Sequence, residues 1–256
     1  MRVVIKIGTS TLAHKTGLLN ILRVEELCKV MSDLKNAGNE VILVSSGAIG
    51  MGVGKLGLSK KPCDIPTKQA AASVGQCELM YTYDRLFSEY NHTVAQILLT
   101  GDDIEHSDRK QNFVNTMRRL LELSAIPIIN ENDTISTNEI EIGDNDTLGA
   151  IVATAVDADL LVILSDIDGL YTADPKKHPN AKLLHTISEI TTEIENMVGG
   201  AGSSLGTGGM LTKLKAAKMV TEKGIDMVIA NGENPLLLYD IISGKEVGTR
   251  FLGKGK

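Results

Sequence analysis

Six short apolar runs separated by helical stretches limit what this chain can fold into more than any other feature. The first is the MRVVIKIG segment, with Val3, Val4, Ile5 and Ile7 ending at Gly8, and the second is EVILVSSG. The others are residues 93–99, IPIIN at 126–130, LLVIL at 160–164 and IDMVIA at 225–230. Runs this short and this apolar read as strands buried on both faces. Helical sequence lies between them at about 22–37 (closed by Gly38), 68–90, 109–123 (with Ser107 or Asp108 as cap) and 145–156. The expected fold is α/β, a three-layer αβα sandwich with a mainly parallel central sheet, formed as one domain over residues 1–256. With 43% hydrophobic residues the chain can bury a full core.

In such sheets ligands bind beyond the carboxyl ends of the strands, and the polar motifs of this chain fall there. IKIGTS follows the first strand, VSSGAIG the second, INENDT the fourth, LSDIDG the fifth and NGENP the sixth. The turn-rich stretch at 172–184 reads as a surface excursion near the ligand. A net charge of −6, three Phe, five Tyr and no Trp weigh against a nucleic-acid binder. Cys28, Cys63 and Cys77 have no CxxC spacing, so reduced thiols and no zinc site are expected. Strand-like sequence from Arg2 leaves no room for a signal peptide, and the apolar run at 148–156 is too short to span a bilayer. A soluble cytoplasmic protein that binds neither membrane nor nucleic acid is expected.

The stretch GSSLGTGGMLTKLKAAKMV, residues 202–220, is a glycine-crowded loop running directly into a helix that ends at Gly224. Residues without a β-carbon let backbone N–H groups close on an anion, and the positive helix end, with Lys213 placed in the first turn, adds attraction. Met210, Leu211, Leu214, Ala217, Met219 and Val220 lie largely on one side, which separates this segment from a flexible linker. Two other matches fail on context. Gly52, Gly54 and Gly57 fit the dinucleotide fingerprint but begin eight residues after the strand ends at Val44. Lys213 follows Thr212, where a P-loop needs glycine, and Lys55 is followed by Leu56, where it needs a hydroxyl.

Lys6 lies in a run that reads as buried on both faces, just before Gly8, Thr9 and Ser10; a snorkelling lysine on an edge strand is the plain alternative, and a lysine inside a buried run points instead to an anionic partner. Lys6 and Lys213 together give two cations converging on a transferring phosphoryl group. NEND (130–133), GDND (143–146), Asp166 and Asp168 place acids and amides at neighbouring strand ends. Singly each suits a turn or cap, as Asp144 suits the helix beginning at Asn145. Together they suit a cationic group: an amino-acid ammonium, or Mg2+ held through nucleotide oxygens and water. The five histidines share no spacing and receive no catalytic role.

IKIGTS, SSGAIGMG, INENDT, GDNDT, SDIDGLYTADP and GTGGMLTKLKAA, in this order, resemble the amino acid kinase superfamily over essentially the whole chain. Within it the resemblance is to the branch that phosphorylates the γ-carboxylate of L-glutamate with ATP, opening proline synthesis. Many members of that branch carry a C-terminal PUA domain; this sequence stops at about the end of the kinase domain. The resemblance implies that the N-terminal part binds the amino acid and the C-terminal part binds ATP. It implies that Lys6 and Lys213 stabilise the phosphoryl group in transfer while Asp146 holds both ammonium groups, making these three the catalytic set. Ser46, Gly47, Asn130, Asp133 and Asn145 would bind glutamate. Lys6, Gly8, Thr9, Ser165 and Asp166 would meet ATP, with Tyr171, Asp174 and Pro175 bordering the adenine. Thr207, Gly208, Gly209, Met210, Leu211, Thr212 and Lys213 would wrap its phosphates. The metal would be Mg2+ bound mainly through ATP phosphates, with no protein metal site. The family also implies a homo-oligomer (dimer or tetramer), feedback inhibition by proline and hand-over of a labile acyl phosphate to glutamate-5-semialdehyde dehydrogenase.

The chemistry agrees independently. A γ-carboxylate of reference pKa about 4.3 is already ionised at neutral pH, so the nucleophile needs no general base. Repulsion between an anionic nucleophile and a polyanionic donor must instead be overcome by cations and backbone amides. Other readings compatible with the same residues are a kinase of this fold acting on acetylglutamate, aspartate, carbamate or UMP, and a non-catalytic nucleotide or amino-acid sensor.

Overall fold

The computed structural model of the protein describes residues 1–14, 18–60, 62–135, 144–175, 177–199 and 208–255. The first strand, β1 (Arg2–Ile7), is followed by a single helical turn, α1 (Thr9–Leu12), and by α2 (Ile21–Asn36), whose Asn20 cap accepts from the Arg23 N–H. Strand β2 (Glu40–Ser45) leads into α3 (Ala48–Lys55) and α4 (Ile65–Ser88). Asp64 caps α4 by accepting from the Thr67 N–H, with Pro66 in the first turn where no helical N–H is needed. Next come β3 (Val94–Leu99), α5 (Gly101–Glu105), α6 (Ser107–Glu122) and β4 (Ile126–Glu131). The chain continues through α7 (Asn145–Ala155), β5 (Leu160–Ser165), β6 (Thr186–Ile187), α8 (Thr192–Gly199), α9 (Gly208–Thr221), β7 (Asp226–Asn231), α10 (Leu237–Ile242) and β8 (Thr249–Phe251).

The strands form one eight-stranded sheet in the order β3-β4-β2-β1-β5-β7-β8-β6. All the pairings are parallel except β7 with β8. Alternation along each strand sends side chains to two cores. Val4, Val44, Ile129 and Ile163 meet α6, α7 and α9 through Met117, Leu148 and Leu214. Ile5, Leu43, Ile128 and Val162 meet α2, α4 and α10 through Leu27, Tyr83 and Ile241. The three layers and mainly parallel sheet are those expected.

Local differences have physical causes. The helix expected at 109–123 starts at Ser107 with His106 in the cap position, because α5 runs directly into it. Neither Ser107 nor Asp108 is therefore the cap. Helix α3 has three glycines in AIGMGVGK and reads as loop by propensity. It forms because α3 and α4 cross at backbone contact. A β-carbon at Gly52 would lie 1.7 Å from the Ala71 carbonyl oxygen, and one at Gly75 the same distance from that of Ala48. Gly52 thus serves helix packing, which explains the accidental fingerprint. The β8–β6 edge was not expected, being only three and two residues long. The excursion after β5 is pinned back on itself where Tyr171 bridges Leu183 and the Leu184 N–H donates to the Leu170 carbonyl.

Candidate active site

From β1 the chain passes outward to β2 on one side, while β5 lies against the other side of β1, so the connections leaving the ends of β1 and β5 diverge. That divergence opens a crevice at the carboxyl edge of the sheet, the position where ligands bind in such folds. Lys6 stands at this edge on the α7 face, paired in register with Val44 and Ile163. Helix α7 lies directly over it, and Gly149 permits the approach, since a β-carbon there would come within 3.4 Å of Lys6 Cβ.

Lys6 reaches the start of α7, where its Nζ lies 2.6 Å from Asp146 Oδ1. Lys213 Nζ donates to Asp146 Oδ2 at 2.9 Å from the opposite side. Relative exposures of 7% for Lys6, 2% for Asp146 and 6% for Lys213 place all three charges out of bulk water. The Lys6 contact is a close ion pair without the alignment of a hydrogen bond, so Oδ1 retains unused acceptor capacity. Burial alone would raise the Asp146 pKa; the Lys6 charge, the Lys213 charge and the close contacts that both ammonium groups make outweigh it and hold the carboxyl below its ordinary value. Two ammonium groups against one carboxylate leave the cluster with one excess positive charge, which favours an anion at the crevice.

Thr212 Oγ1 lies 3.1 Å from Asp146 Oδ2 and 3.0 Å from the Gly209 carbonyl, and Lys213 Nζ also donates to that carbonyl at 3.2 Å. Because α9 begins at Gly208, Lys213 falls in its second turn rather than the first, and it reaches the crevice by turning back along the helix. Met210, Leu214, Ala217 and Val220 are buried as expected, whereas Leu211 and Met219 face outward, because spacings of one and nine from Met210 leave the core stripe. The Met210 side chain packs in the core, so at that position only its backbone is left for the expected phosphate contact. Gly209 has open space where a β-carbon would stand. The loop at 202–206, the motif residue Gly143 and the expected contact Thr207 lie outside the described residues.

A second polar cluster adjoins the first, because Asn145 directly precedes Asp146. Asp144 caps α7 by accepting from the N–H groups of Asp146 and Thr147 at 2.9 Å each, which sets the start of the helix. Asn145 Nδ2 then faces three acceptors: Ser46 Oγ at 2.7 Å, Asn130 Oδ1 at 3.0 Å and the Ser45 carbonyl at 3.1 Å. Three of the residues expected to bind substrate, Ser46, Asn130 and Asn145, therefore meet directly. Gly47 follows Ser46 as the α3 cap with φ 106°, a left-handed conformation that favours glycine. Asp133 lies in the turn beyond β4, half-buried at the same edge.

Ser165 ends β5, buried, with its hydroxyl 3.2 Å from Asp166 Oδ1. The exposed Asp166, with Thr9 and Gly47, lines a cavity of about 450 Å3 that also takes in Met51 and Glu233. Lys6, Asp146 and Lys213 do not line this cavity; the ion cluster is its neighbour and marks the chemistry more directly. Gly8 abuts Lys6, since a β-carbon there would lie 3.5 Å from Lys6 Nζ. Tyr171 donates to Asp168 Oδ2 at 2.8 Å, and Asn231 Nδ2 donates to Asp168 Oδ1 at 2.8 Å. Asp174 is half-buried and Pro175 exposed on the excursion that follows. No group of three His, Cys, Asp or Glu able to hold a metal occurs among the described residues.

Sequence reasoning missed Gln76 of α4, whose Oε1 accepts from Asn130 Nδ2 at 3.0 Å, with both side chains buried. The available signal was a polar residue on an apolar stripe, four residues from Ala72 and three from Leu79.

The sequence pattern of the amino acid kinase family matches residues 1–231. The chain is 56% identical to the glutamate 5-kinase of Clostridium perfringens, covering 99% of this chain and 96% of that one. It is 53% identical to the glutamate 5-kinase of Clostridium tetani, covering 97% and 93%. Among solved structures it is similar to the isopentenyl phosphate kinase of T. acidophilum (TM-score 0.68, 18% identity, 98% of this chain and 100% of that). It is equally similar to carbamate kinase from Giardia lamblia bound to AMP-PNP (TM-score 0.68, 18% identity, 99% and 98%). At that identity the two structures bear on the fold alone.

Proposed function

The chain belongs to the amino acid kinase family, and we propose that its crevice carries out the ATP-dependent phosphorylation of the γ-carboxylate of L-glutamate to L-glutamyl 5-phosphate. This is the reaction that opens proline biosynthesis. The observation that carries the reading is the adjacency of two clusters in one helical turn. Asp146 draws Lys6 and Lys213 together, while Asn145 faces Ser46 and Asn130. A group seated at the second cluster is thereby set beside an excess positive charge.

ATP would supply the phosphoryl group, and Mg2+ bound with it would supply further charge neutralisation. The residues fit such a polyanion: the ion cluster carries surplus positive charge, and Gly209, in the first turn of α9, has open space where a β-carbon would stand. Lys6 and Lys213 neutralise charge where it develops on the phosphoryl oxygens, and Asp146 fixes both ammonium groups so that little rearrangement is needed during transfer. Ser46, Asn130, Asp133 and Asn145 hold the amino acid, with Asp133 paired to its ammonium. N-Acetylglutamate lacks that charge and would forgo the pairing with Asp133. Gly8, Ser165, Asp166 and Tyr171 border the nucleotide. In this reading the N-terminal part serves mainly the amino acid and the C-terminal part mainly the nucleotide, with Lys6 and Gly8 contributed from β1 and the residue after its end.

Hydroxylamine trapping of γ-glutamyl hydroxamate in the presence of ATP and Mg2+ tests the reading. Acceptors compared by ADP release are L-glutamate, N-acetylglutamate, aspartate, carbamate and UMP. Turnover with glutamate alone is expected; turnover with another acceptor would overturn the Asp133 assignment, and none with any would favour a nucleotide or amino-acid sensor. The acyl phosphate is labile, which suits transfer to glutamate-5-semialdehyde dehydrogenase, and the family pattern suits a homo-oligomer inhibited by proline. No helix among the described residues is long and apolar enough to cross a membrane, in keeping with a cytoplasmic enzyme.

A further inference from the structure

We infer that Gln76, which touches neither of the two lysines nor Asp146, is a positioning residue that fixes which end of the Asn145 amide is offered to the acceptor substrate, acting through Asn130. The inference rests on the glutamate-binding role proposed for Asn145.

Two backbone groups reveal the polarity of the network. The Glu131 N–H, which can only donate, lies 2.9 Å from Asn130 Oδ1, so that atom is the carbonyl oxygen. Asn130 Nδ2 is therefore turned toward α4, where Gln76 Oε1 receives it. The Ser45 carbonyl, which can only accept, lies 3.1 Å from the Asn145 amide, so the nitrogen faces inward there. The contact between the two asparagines agrees with this, since Asn145 Nδ2 donates to Asn130 Oδ1.

With both Nδ2 hydrogens shared among the three inward acceptors, Asn145 is left with Oδ1 for the crevice. That oxygen has no hydrogen-bond partner among the described residues. A free carbonyl oxygen recognises a donor such as an ammonium and disfavours a carboxylate. If Asn130 flipped, its NH2 would confront the Asn145 NH2, which would lose that acceptor and be held inward by Ser45 and Ser46 alone. Gln76 opposes that flip by giving Asn130 Nδ2 a buried acceptor that it would otherwise lack. Gln76 is itself held rigidly: it lies 8% exposed one residue after Gly75, where α4 meets α3 backbone to backbone.

The test is steady-state kinetics on the full chain, varying glutamate and ATP separately, with thermal denaturation alongside. Gln76→Met should raise the KM for glutamate about tenfold, the effect of losing one buried hydrogen bond. The KM for ATP should remain within twofold. Gln76→Glu retains an acceptor oxygen and should stay closer to the native KM than Gln76→Met. In an Asn130→Ala background, Gln76→Met should add less than twofold, because its route of action is already gone.

An unchanged glutamate KM in Gln76→Met overturns the inference. So does an equal rise in both KM values, or an undiminished effect without Asn130, since each describes a purely structural role. If Gln76→Met does not fold, Gln76→Asn, which withdraws the oxygen by one methylene, takes its place with the same expectations. If the native chain uses another acceptor and not glutamate, the proposed reaction fails. The same variants are then read on that acceptor's KM, so Gln76 is judged separately.

Discussion

Asn145 and Asp146, consecutive in the first turn of α7, turn to different partners: Asn145 to Ser45, Ser46 and Asn130, and Asp146 to Lys6 and Lys213. One helix start therefore joins the ends of β1, β2 and β4 to α9. The Asp144 cap sets that start, and Gly149 lets the next turn settle onto Lys6.

Lys213→Ala should lower kcat by about a hundredfold or more while changing the KM for ATP much less, because the ammonium is needed most where charge develops in transfer. Stopped-assay turnover numbers at saturating ATP check this. An unchanged kcat would remove Lys213 from the phosphoryl position.

Asp133→Asn should raise the KM for glutamate far more than that for ATP, since only the amino acid carries an ammonium for this carboxylate to meet. The two constants measured on one preparation decide it. Parallel changes would place Asp133 outside the acceptor site.

Asp146→Asn removes the carboxylate shared by two buried ammonium groups and should cost about 3 kcal/mol of stability as well as activity. The pH dependence has a definite sign. The folded-state pKa of Asp146 is depressed, so its stabilisation is fully present above the ordinary carboxylate value and is lost as pH falls through the lower folded value. Urea unfolding of both proteins should give a constant stability gap from about pH 5 to 8 that narrows below about pH 4. A gap that widens on acidification would contradict the ion-pair account.

Gly75→Ala would place a methyl carbon 1.7 Å from the Ala48 carbonyl oxygen and 2.4 Å from the Gly52 nitrogen, so α3 and α4 must separate. A loss of about 2–3 kcal/mol, or roughly 5 °C or more in Tm, is expected. Gly54→Ala is the control, since its added carbon would meet only Leu18 Cδ2 at an ordinary 3.7 Å. Calorimetry of the pair separates crowding from helix propensity; equal effects would show that the crossing is not what requires glycine at 75.

The sheet class, the edge that carries the chemistry and the positions of the longer helices α2, α4, α6, α7 and α9 were legible in the sequence, because apolar periodicity, glycine stops and caps act over a few residues. The sequence also made Lys6 conspicuous, since a lysine inside a doubly buried strand demands an anion. Among the residues bearing on the site, only tertiary structure decided which ones meet. Asp146 lies 140 positions from Lys6 and 67 from Lys213, and Gln76 lies 54 from Asn130. Those separations are closed by strand order and helix crossings rather than by local pattern. Helix α3 was illegible for the same reason: its glycines argue against a helix until the backbone of α4, lying against them, supplies the packing that outweighs their entropy.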